Sequence, residues 1–318
     1  MSVSLLDLEP ASHNDEQEII EGLARDQKEV SPKYFYDEAG SQLFEEICEQ
    51  PEYYPTRTEL GIMREHIEEI ATLIGPNASI IEFGSGASVK TRLLLEHAPE
   101  LAAYVPVDIS RDHLASTAET LAREFPDIEV LPVCADFTQP FELPIPSRMP
   151  ERNVVYFPGS TIGNFSTREA VDLMKVMRAE AKDDGALLIG VDLEKPRGIV
   201  ERAYNDAAGV TADFNLNLLA RLNREHEADF DLDAFEHAAV YDEEHRRIEM
   251  RLISLDAQSV QVAGETFEFD EGEYIVTEHS HKYSLERFAS MAAEAEFEQE
   301  KYWTDPADLF SVQYLVAA

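Results

Sequence analysis

Two periods of apolar and polar residues run along this chain, and the elements change where the period changes. Residues 78–83 form an apolar run broken only by Ser79 and Glu82, the length of a short buried strand. Gly84 and Gly86 follow and let the backbone turn sharply and pass close to a ligand. Residues 91–95 then open a helix with a Leu-rich face. Upstream, residues 14–28 carry Ile19, Ile20 and Leu23 at helical spacing. Residues 41–50, with Ser41 as cap, set Leu43, Phe44 and Ile47 on one face, and a longer helix spans 58–73. Downstream come a strand at 104–107, a helix at 110–124 capped by Ser110, and strands and helices in turn at 129–134, 153–157, 167–178 and 186–191. Strands alternating with helices at this spacing predict an α/β fold with a doubly wound, mostly parallel sheet. Its ligands belong past the strand C-termini.

The rhythm breaks after 194. Residues 195–235 read as two helices, one over 210–227. Residues 235–275 alternate strictly, as in 247–253 and 260–262, and predict antiparallel strands joined by polar hairpins such as 241–245. After 282 the α/β rhythm returns, with a helix at 284–296 and two closing strands at 297–303 and 310–316. The chain is therefore expected to hold two domains. One comprises 58–194 and 282–318 and carries the glycine turn. The other is a smaller α+β domain made of 1–57 and 195–281, with residues 1–12 as a disordered lead-in. Two aromatic-rich loops, 31–37 and 51–57, fall in the smaller domain and suit a pocket wall.

Composition supports a globular chain with a sizeable core, at 44% hydrophobic over 318 residues. No apolar run approaches the ~20 residues of a membrane span. The N-terminus lacks the basic and apolar regions of a secretory signal. Cys48 and Cys134 offer neither a disulfide framework nor a metal cluster and read as reduced, buried thiols. The net charge of −38 comes from 64 acidic residues against 26 basic ones. That argues against a nucleic-acid partner, which needs a cationic face. An acidic surface poor in Lys suits a halophilic protein in a salty cytoplasm, where self-repulsion is screened. A cytoplasmic monomer acting on a small molecule is the expectation.

Glu82, Gly84 and Gly86 spell E-x-G-x-G, and Asp108 ends the next strand. The dinucleotide fingerprint would need a third glycine where Val89 stands. The arrangement resembles instead the S-adenosylmethionine site of Rossmann-like methyltransferases; a glycine-containing loop in some other α/β domain is the plainer reading of the glycines alone. Gly159 and Asn164 follow the strand 153–157, which puts Asn164 in a ligand-facing loop. An asparagine both donates and accepts, so it can hold an amino acid's carboxylate or amine. His279 and His281 form H-x-H, but no second cluster supplies further ligands, so no metal is expected. Alternation sets Glu278 and Ser280 on one strand face and the two histidines on the other. A buried glutamate needs a partner, and a ligand is the natural one.

SPKYFYDEAG, PEYYPTR, EFGSGASVKTR, PGSTIGN, RAYNDAAGVTADFN, RRIEM and TEHSHKY occur in that order. Together they resemble the histidine Nα-methyltransferases of ergothioneine biosynthesis, from about residue 31 to the end. The resemblance implies S-adenosylmethionine as cofactor, a Rossmann-like methyltransferase domain ending in an antiparallel hairpin, and trimethylation of histidine's α-amine to hercynine. It implies cofactor contacts at Gly84, Gly86, Lys90, Asp108, Asp136, Phe137 and Gly159. On the substrate side it implies Tyr53, Asn164 and Tyr204, with Glu278 and Ser280 gripping the imidazole, Met250 in the pocket wall, and Tyr36 and Phe44 at the amine end. Tyr36 and Asn164 are the residues expected to orient the reacting amine, and the Glu278 carboxylate is expected to favour the protonated ring. Phe83 and Val89 stand where relatives often carry Leu and Glu. The alternatives are a methyltransferase of the same fold acting on another amino acid or small amine, a non-catalytic cofactor-binding module, and an NAD-binding oxidoreductase, which the missing third glycine disfavours.

Overall fold

The computed structural model describes residues 3–8, 15–85, 89–98 and 100–318. Gly86 lies outside the described residues. In chain order the first elements are β1 (Leu6–Asp7), α1 (Asp15–Leu23), α2 (Glu38–Glu49), α3 (Tyr54–Ile74), β2 (Ala78–Phe83), α4 (Val89–His97), β3 (Ala103–Asp108) and α5 (Arg111–Glu124). β4 (Glu129–Val130), β5 (Val133–Cys134), β6 (Arg152–Phe157), α6 (Thr167–Ala181), β7 (Ala186–Asp192), α7 (Arg197–Ala203) and α8 (Val210–Glu225) follow. The chain closes with β8 (Phe235–Asp242), β9 (Arg247–Ser254), β10 (Gln258–Val262), β11 (Glu265–Phe269), β12 (Tyr274–His281), α9 (Leu285–Glu294), β13 (Phe297–Thr304) and β14 (Phe310–Ala317).

The chain divides into two compact units. The sheet unit holds Arg57–Leu193 and Tyr283–Ala318 together with the N-terminal strand. Its sheet runs β1-β5-β3-β2-β6-β7-β14-β13, with β4 beside β3. Neighbours are parallel from β1 to β7, and the β13–β14 hairpin adds antiparallel to β7. The strands read as continuous apolar runs because both faces are covered. Ile80, Tyr104 and Val154 pack with Ile62, Met63, Leu94 and Leu121 from α3, α4 and α5. Ile81, Val105 and Val155 pack on the other face with Met174 of α6 and Phe288 and Met291 of α9. This is the Rossmann-like, doubly wound architecture with its closing hairpin.

Four expectations change. The single strand predicted over 129–134 is two short strands, because Pro132 has no N–H for the ladder. Residues 6 and 7 are ordered into the sheet through Leu6↔Val133 and Asp7↔Cys134, so β1 belongs to the sheet unit and the lead-in is not wholly disordered. Helix α2 is capped by Asp37, whose side chain accepts from the Gly40 N–H at 2.7 Å, and Ser41 lies inside the helix. The thiol at Cys48 is also only half-buried, unlike that of Cys134.

The smaller unit is Ser12–Thr56 with Glu194–Lys282. Its sheet is β12-β9-β8, antiparallel, with the separate hairpin β10–β11. Phe214 of α8 stacks on Phe35 at 4.4 Å between ring centroids, which joins the N-terminal aromatic loop to the later helix.

Candidate active site

In the sheet unit the glycine turn leaves the C-terminal end of β2. Gly84 sits at φ 72°, where a side chain is strained, and a Cβ there would reach to 3.7 Å from Phe137. Its N–H donates to the Val107 carbonyl at 2.9 Å, which fixes the turn against β3. Asp108 ends β3 half-buried; burial raises its carboxyl above the ordinary value, while the Ser110 N–H donates to Oδ1 at 2.8 Å. Ser110 stands at the start of α5 but makes no side-chain cap bond. Phe137 follows β5 and packs on Phe83 and Phe157, at 5.4 and 5.9 Å between centroids. Asp136 beside it is exposed, and its Oδ1 accepts from the Thr138 N–H and hydroxyl at 2.9 and 2.7 Å. Gly159 and the single 3-10 turn Thr161–Asn164 follow β6, which leaves Asn164 half-buried at that strand's C-terminal side. Gly84, Asp108, Asp136, Phe137, Gly159 and Asn164 thus gather past the C-termini of adjacent parallel strands.

Two buried acids hold this edge; the sequence marked Glu82 only as part of the glycine motif and did not mark Glu59. Glu59 of α3 is 1% exposed and pairs with Lys90 Nζ. It also accepts the Gly159 N–H, at 2.9 Å to Oε2. A Cβ at Gly190 would stand 2.1 Å from Glu59 Oε1, so the glycine makes room for the carboxylate. Lys90 is therefore tied to α3 and to the loop after β6. Glu82, at the end of β2, accepts the Tyr104 hydroxyl at 2.6 Å and the Thr91 hydroxyl at 2.9 Å, and burial pushes its carboxyl up to about 7.

In the smaller unit the sequence-predicted residues form a chain of rings. Tyr36 meets Phe44 at 5.8 Å, Phe44 meets Tyr53 at 6.3 Å, and Tyr53 meets Tyr204 at 6.0 Å, each near edge-to-face. Tyr36 is the exposed end and Tyr53 and Tyr204 the buried end. Tyr204 Oη lies 2.8 Å from Ser280 Oγ. Glu278 pairs in register with Met250, which is buried on β9. A bulge between Val276 and Glu278 resets the alternation, after which Glu278 and Ser280 share a face. His279 lies on the other face, 3.7 Å from Glu249 and edge-to-face with His281. Glu278 retains some solvent exposure, yet its carboxyl is crowded enough for burial to push it up to about 7, against the pull of Lys282. It accepts no hydrogen bond from the described residues, so an N–H-bearing ligand group suits it.

Behind this face runs a relay the sequence did not reveal. Thr277 donates to Asn215 Oδ1 at 2.7 Å, and Asn215 Nδ2 reaches His237 Nδ1 at 2.9 Å. An amide N–H only donates, so His237 Nδ1 accepts and its Nε2–H donates to the Tyr204 carbonyl, 2.9 Å away. Burial lowers the pKa of His237 and keeps the ring neutral. The relay fixes the backbone of Tyr204. Its members lie tens of residues apart on α8, β8 and β12; Asn215 and Thr277 stand in two of the quoted motifs, but nothing in the sequence joins them to His237.

Residues 15–317 match the family described as histidine-specific, S-adenosylmethionine-dependent methyltransferases. The chain belongs to that family. Histidine N-alpha-methyltransferase of Mycolicibacterium smegmatis is 41% identical over 94% of this chain and 94% of its own length. The enzyme of the same name from Mycobacterium tuberculosis is 38% identical over 93% of this chain and 92% of its own. Ergothioneine biosynthesis protein 1 of Neurospora crassa is 31% identical over 85% of this chain, which spans 31% of that longer protein. S-adenosylmethionine is the cofactor of the methyltransferase. The residues past β2, β3, β5 and β6 fit it: a half-buried carboxylate at Asp108 for hydroxyl donors, a glycine backbone at Gly84 in the left-handed region that leaves the turn bare, and an aromatic face at Phe137. No helix among the described residues is long and apolar enough to cross a membrane.

Proposed function

We propose that the methyltransferase places three methyl groups in turn on the α-amine of L-histidine, forming hercynine in ergothioneine biosynthesis. The observation that carries this reading is the polar pair in the smaller unit. Glu278 is a crowded carboxylate with no protein donor among the described residues, and it shares a strand face with Ser280, whose hydroxyl lies 2.8 Å from that of Tyr204. An imidazole ring has two nitrogens, one for each of these groups. Tyr53 and Met250 wall the ring, and Tyr36 and Phe44 supply aromatic space in which cation–π attraction suits a quaternary amine. Tyr36 and Asn164 orient the amine, and Asn164 and Tyr204 hold the amino-acid end. Gly84, Gly86, Lys90, Asp108, Asp136, Phe137 and Gly159 hold the cofactor. The bound cofactor supplies an already activated methyl, so the chain's own residues contribute alignment rather than strong acid–base chemistry. The protein works as a monomer in the cytoplasm, without metal or nucleic acid.

Incubation with histidine and cofactor should yield mono-, di- and trimethylated histidine by mass spectrometry. Glu278→Ala removes a charge-assisted bond worth ~2–4 kcal/mol and should weaken histidine binding roughly thirtyfold to a thousandfold. Its affinity for S-adenosylhomocysteine should barely move. Unchanged histidine affinity in a folded Glu278→Ala protein would remove the imidazole-binding role and direct attention to another amine.

A further inference from the structure

We propose that Glu59 sets the charge of the cofactor edge by neutralising Lys90, and that its carboxylate thereby tunes how the edge discriminates a sulfonium from a thioether. The inference rests on the reading that Lys90 and Gly159 hold the cofactor. Among the described residues of the sheet unit, Lys90 is the one lysine or arginine that is buried. It stands in the first turn of α4, which follows the glycine turn in sequence. Glu59 on α3 is buried with it and accepts from its ammonium. The same carboxylate accepts the Gly159 N–H, at 3.1 Å to Oε1 and 2.9 Å to Oε2. A Cβ built on Gly159 would come to 3.7 Å from Lys90 Nζ, so the loop after β6 lies against the ammonium. One carboxylate thus fixes a side chain and a backbone amide, and Gly190 on β7 leaves room for it.

Three further carboxylates close this edge. Glu82 lies near the end of β2, Asp108 ends β3 and Asp192 ends β7; Glu82 and Asp192 are buried. The Asp192 N–H donates to Ser160 Oγ at 2.9 Å, which sets Asp192 beside the loop that carries Gly159. These charges act on one another through the interior. Burial pushes the Glu82 carboxyl up to about 7, while Lys90 pulls it down and Asp108 pushes it further up. The charge of Lys90 therefore reaches the strand that leads into the glycine turn. With the Glu59–Lys90 pair neutral, the edge is left with negative charge.

That sign matters for the ligand. S-adenosylmethionine differs from S-adenosylhomocysteine by one methyl group and by the positive charge on sulfur. Away from bulk water two charges influence each other strongly. A negative edge favours the sulfonium, and an uncompensated Lys90 would repel it. Glu59 removes that repulsion, acting as a positioning residue through Lys90 and Gly159. When the methyl leaves, its bonding electron pair stays on sulfur and the positive charge there is gone. The attraction between the edge and the sulfur ends with it. Three successive transfers need spent cofactor exchanged for fresh, and the charge set by Glu59 biases each exchange.

The test is calorimetry of the full-length protein with S-adenosylmethionine and with S-adenosylhomocysteine, read as the ratio of the two dissociation constants. Loosened packing weakens both ligands by one factor and leaves the ratio alone, whereas a change of charge moves it. Glu59→Gln keeps the length and an acceptor for the Gly159 N–H but leaves Lys90 uncompensated. Its ratio should shift about tenfold against S-adenosylmethionine. Adding Lys90→Met removes the stranded charge and should return the ratio to the wild-type value, whatever the absolute affinities. Glu59→Asp keeps the charge at shorter reach, so both ligands should weaken together. Equal weakening of both ligands by Glu59→Gln overturns the inference. Should Glu59→Gln fail to fold, the neutral double variant decides: a ratio unlike that of the wild type would show that the pair does not act as a neutral unit and would overturn the inference too. Full affinity for both ligands in the double variant removes Lys90 as a cofactor contact, and the ratio in Glu59→Gln still decides the role of the charge.

Discussion

At the scale of single residues, the buried Glu59–Lys90 pair makes the sharpest prediction. Glu59 accepts from Lys90 and from the Gly159 N–H, so its loss strands a buried ammonium and an amide together. Breaking such a pair by removing one partner costs ~3–5 kcal/mol. Glu59→Ala should lower unfolding free energy by about that amount in denaturant titrations, and Glu59→Gln, which still accepts the Gly159 N–H, by less. Adding Lys90→Met to Glu59→Gln should recover part of the loss, because the uncompensated charge leaves with the lysine. Strict additivity of the two changes would show that the residues do not act as a pair. Glu59 was invisible in the sequence for a plain reason. It is an acid on a helix whose partner is 31 residues away, and nothing local separates it from the solvated glutamates around it. Glu278, Ser280 and Tyr204 were legible because they stand in motifs and because strand alternation assigns a face. Lys282 stands inside one of those motifs, yet it drew no role, since burial cannot be seen in a charged residue's letter.

Elements were legible wherever periodicity was long, and misread where two cap residues competed. Asp37 and Ser41 both suit a helix start. In the structure Gly40 lies inside α2, and only a glycine fits there, because a Cβ would lie 1.7 Å from the Phe35 carbonyl oxygen. The cap is then Asp37, which accepts from Gly40 N–H and Asn217 Nδ2 and pairs with Arg224 at 2.6 Å. Those bonds hold its carboxyl below the ordinary value despite the opposing effect of burial. Asp37→Ala should cost about 1–2 kcal/mol, and Ser41→Ala no more than about 0.5. The pH sign follows from the lowered value. The contribution of Asp37 is present above the unfolded aspartate's pKa and disappears as pH falls through the folded one. Denaturation midpoints of wild type and Asp37→Ala should therefore converge in acid. Equal losses for Asp37→Ala and Ser41→Ala would return the cap to Ser41. The split of residues 129–134 into β4 and β5 has a comparable origin: Pro132 was visible in the sequence, but its effect depends on which side of the strand is paired.

At the scale of the whole molecule, the alternation of periods revealed the doubly wound sheet and the α+β segment after 194, because the central strands β2, β3, β6 and β7 are buried on both faces and read as apolar runs. Strand order was less accessible, since β2 pairs with β6 across three intervening strands of sequence. The surface charge is the one global property the fold does not explain. With 64 acidic and 26 basic residues, the net charge of −38 makes the compact state repel itself. Screening shortens the reach of that repulsion from ~10 Å at 0.1 M salt to ~3 Å at 1 M. The attractive pairs that salt also weakens are mainly exposed ones, such as Arg168–Asp172 and Lys175–Asp172, each worth at most about 1 kcal/mol. The buried Glu59–Lys90 pair is shielded from ions and should keep its strength. Repulsion relieved therefore exceeds attraction lost, and melting temperature should climb as potassium chloride rises from dilute buffer to molar concentration. Sulfate is unsuitable for this measurement because it strengthens apolar burial in any protein. A melting temperature that is flat or falling in potassium chloride would overturn the expectation of a salt-adapted protein, while the proposed histidine site, which rests on Glu278 and Ser280 and not on the net charge, would stand as before.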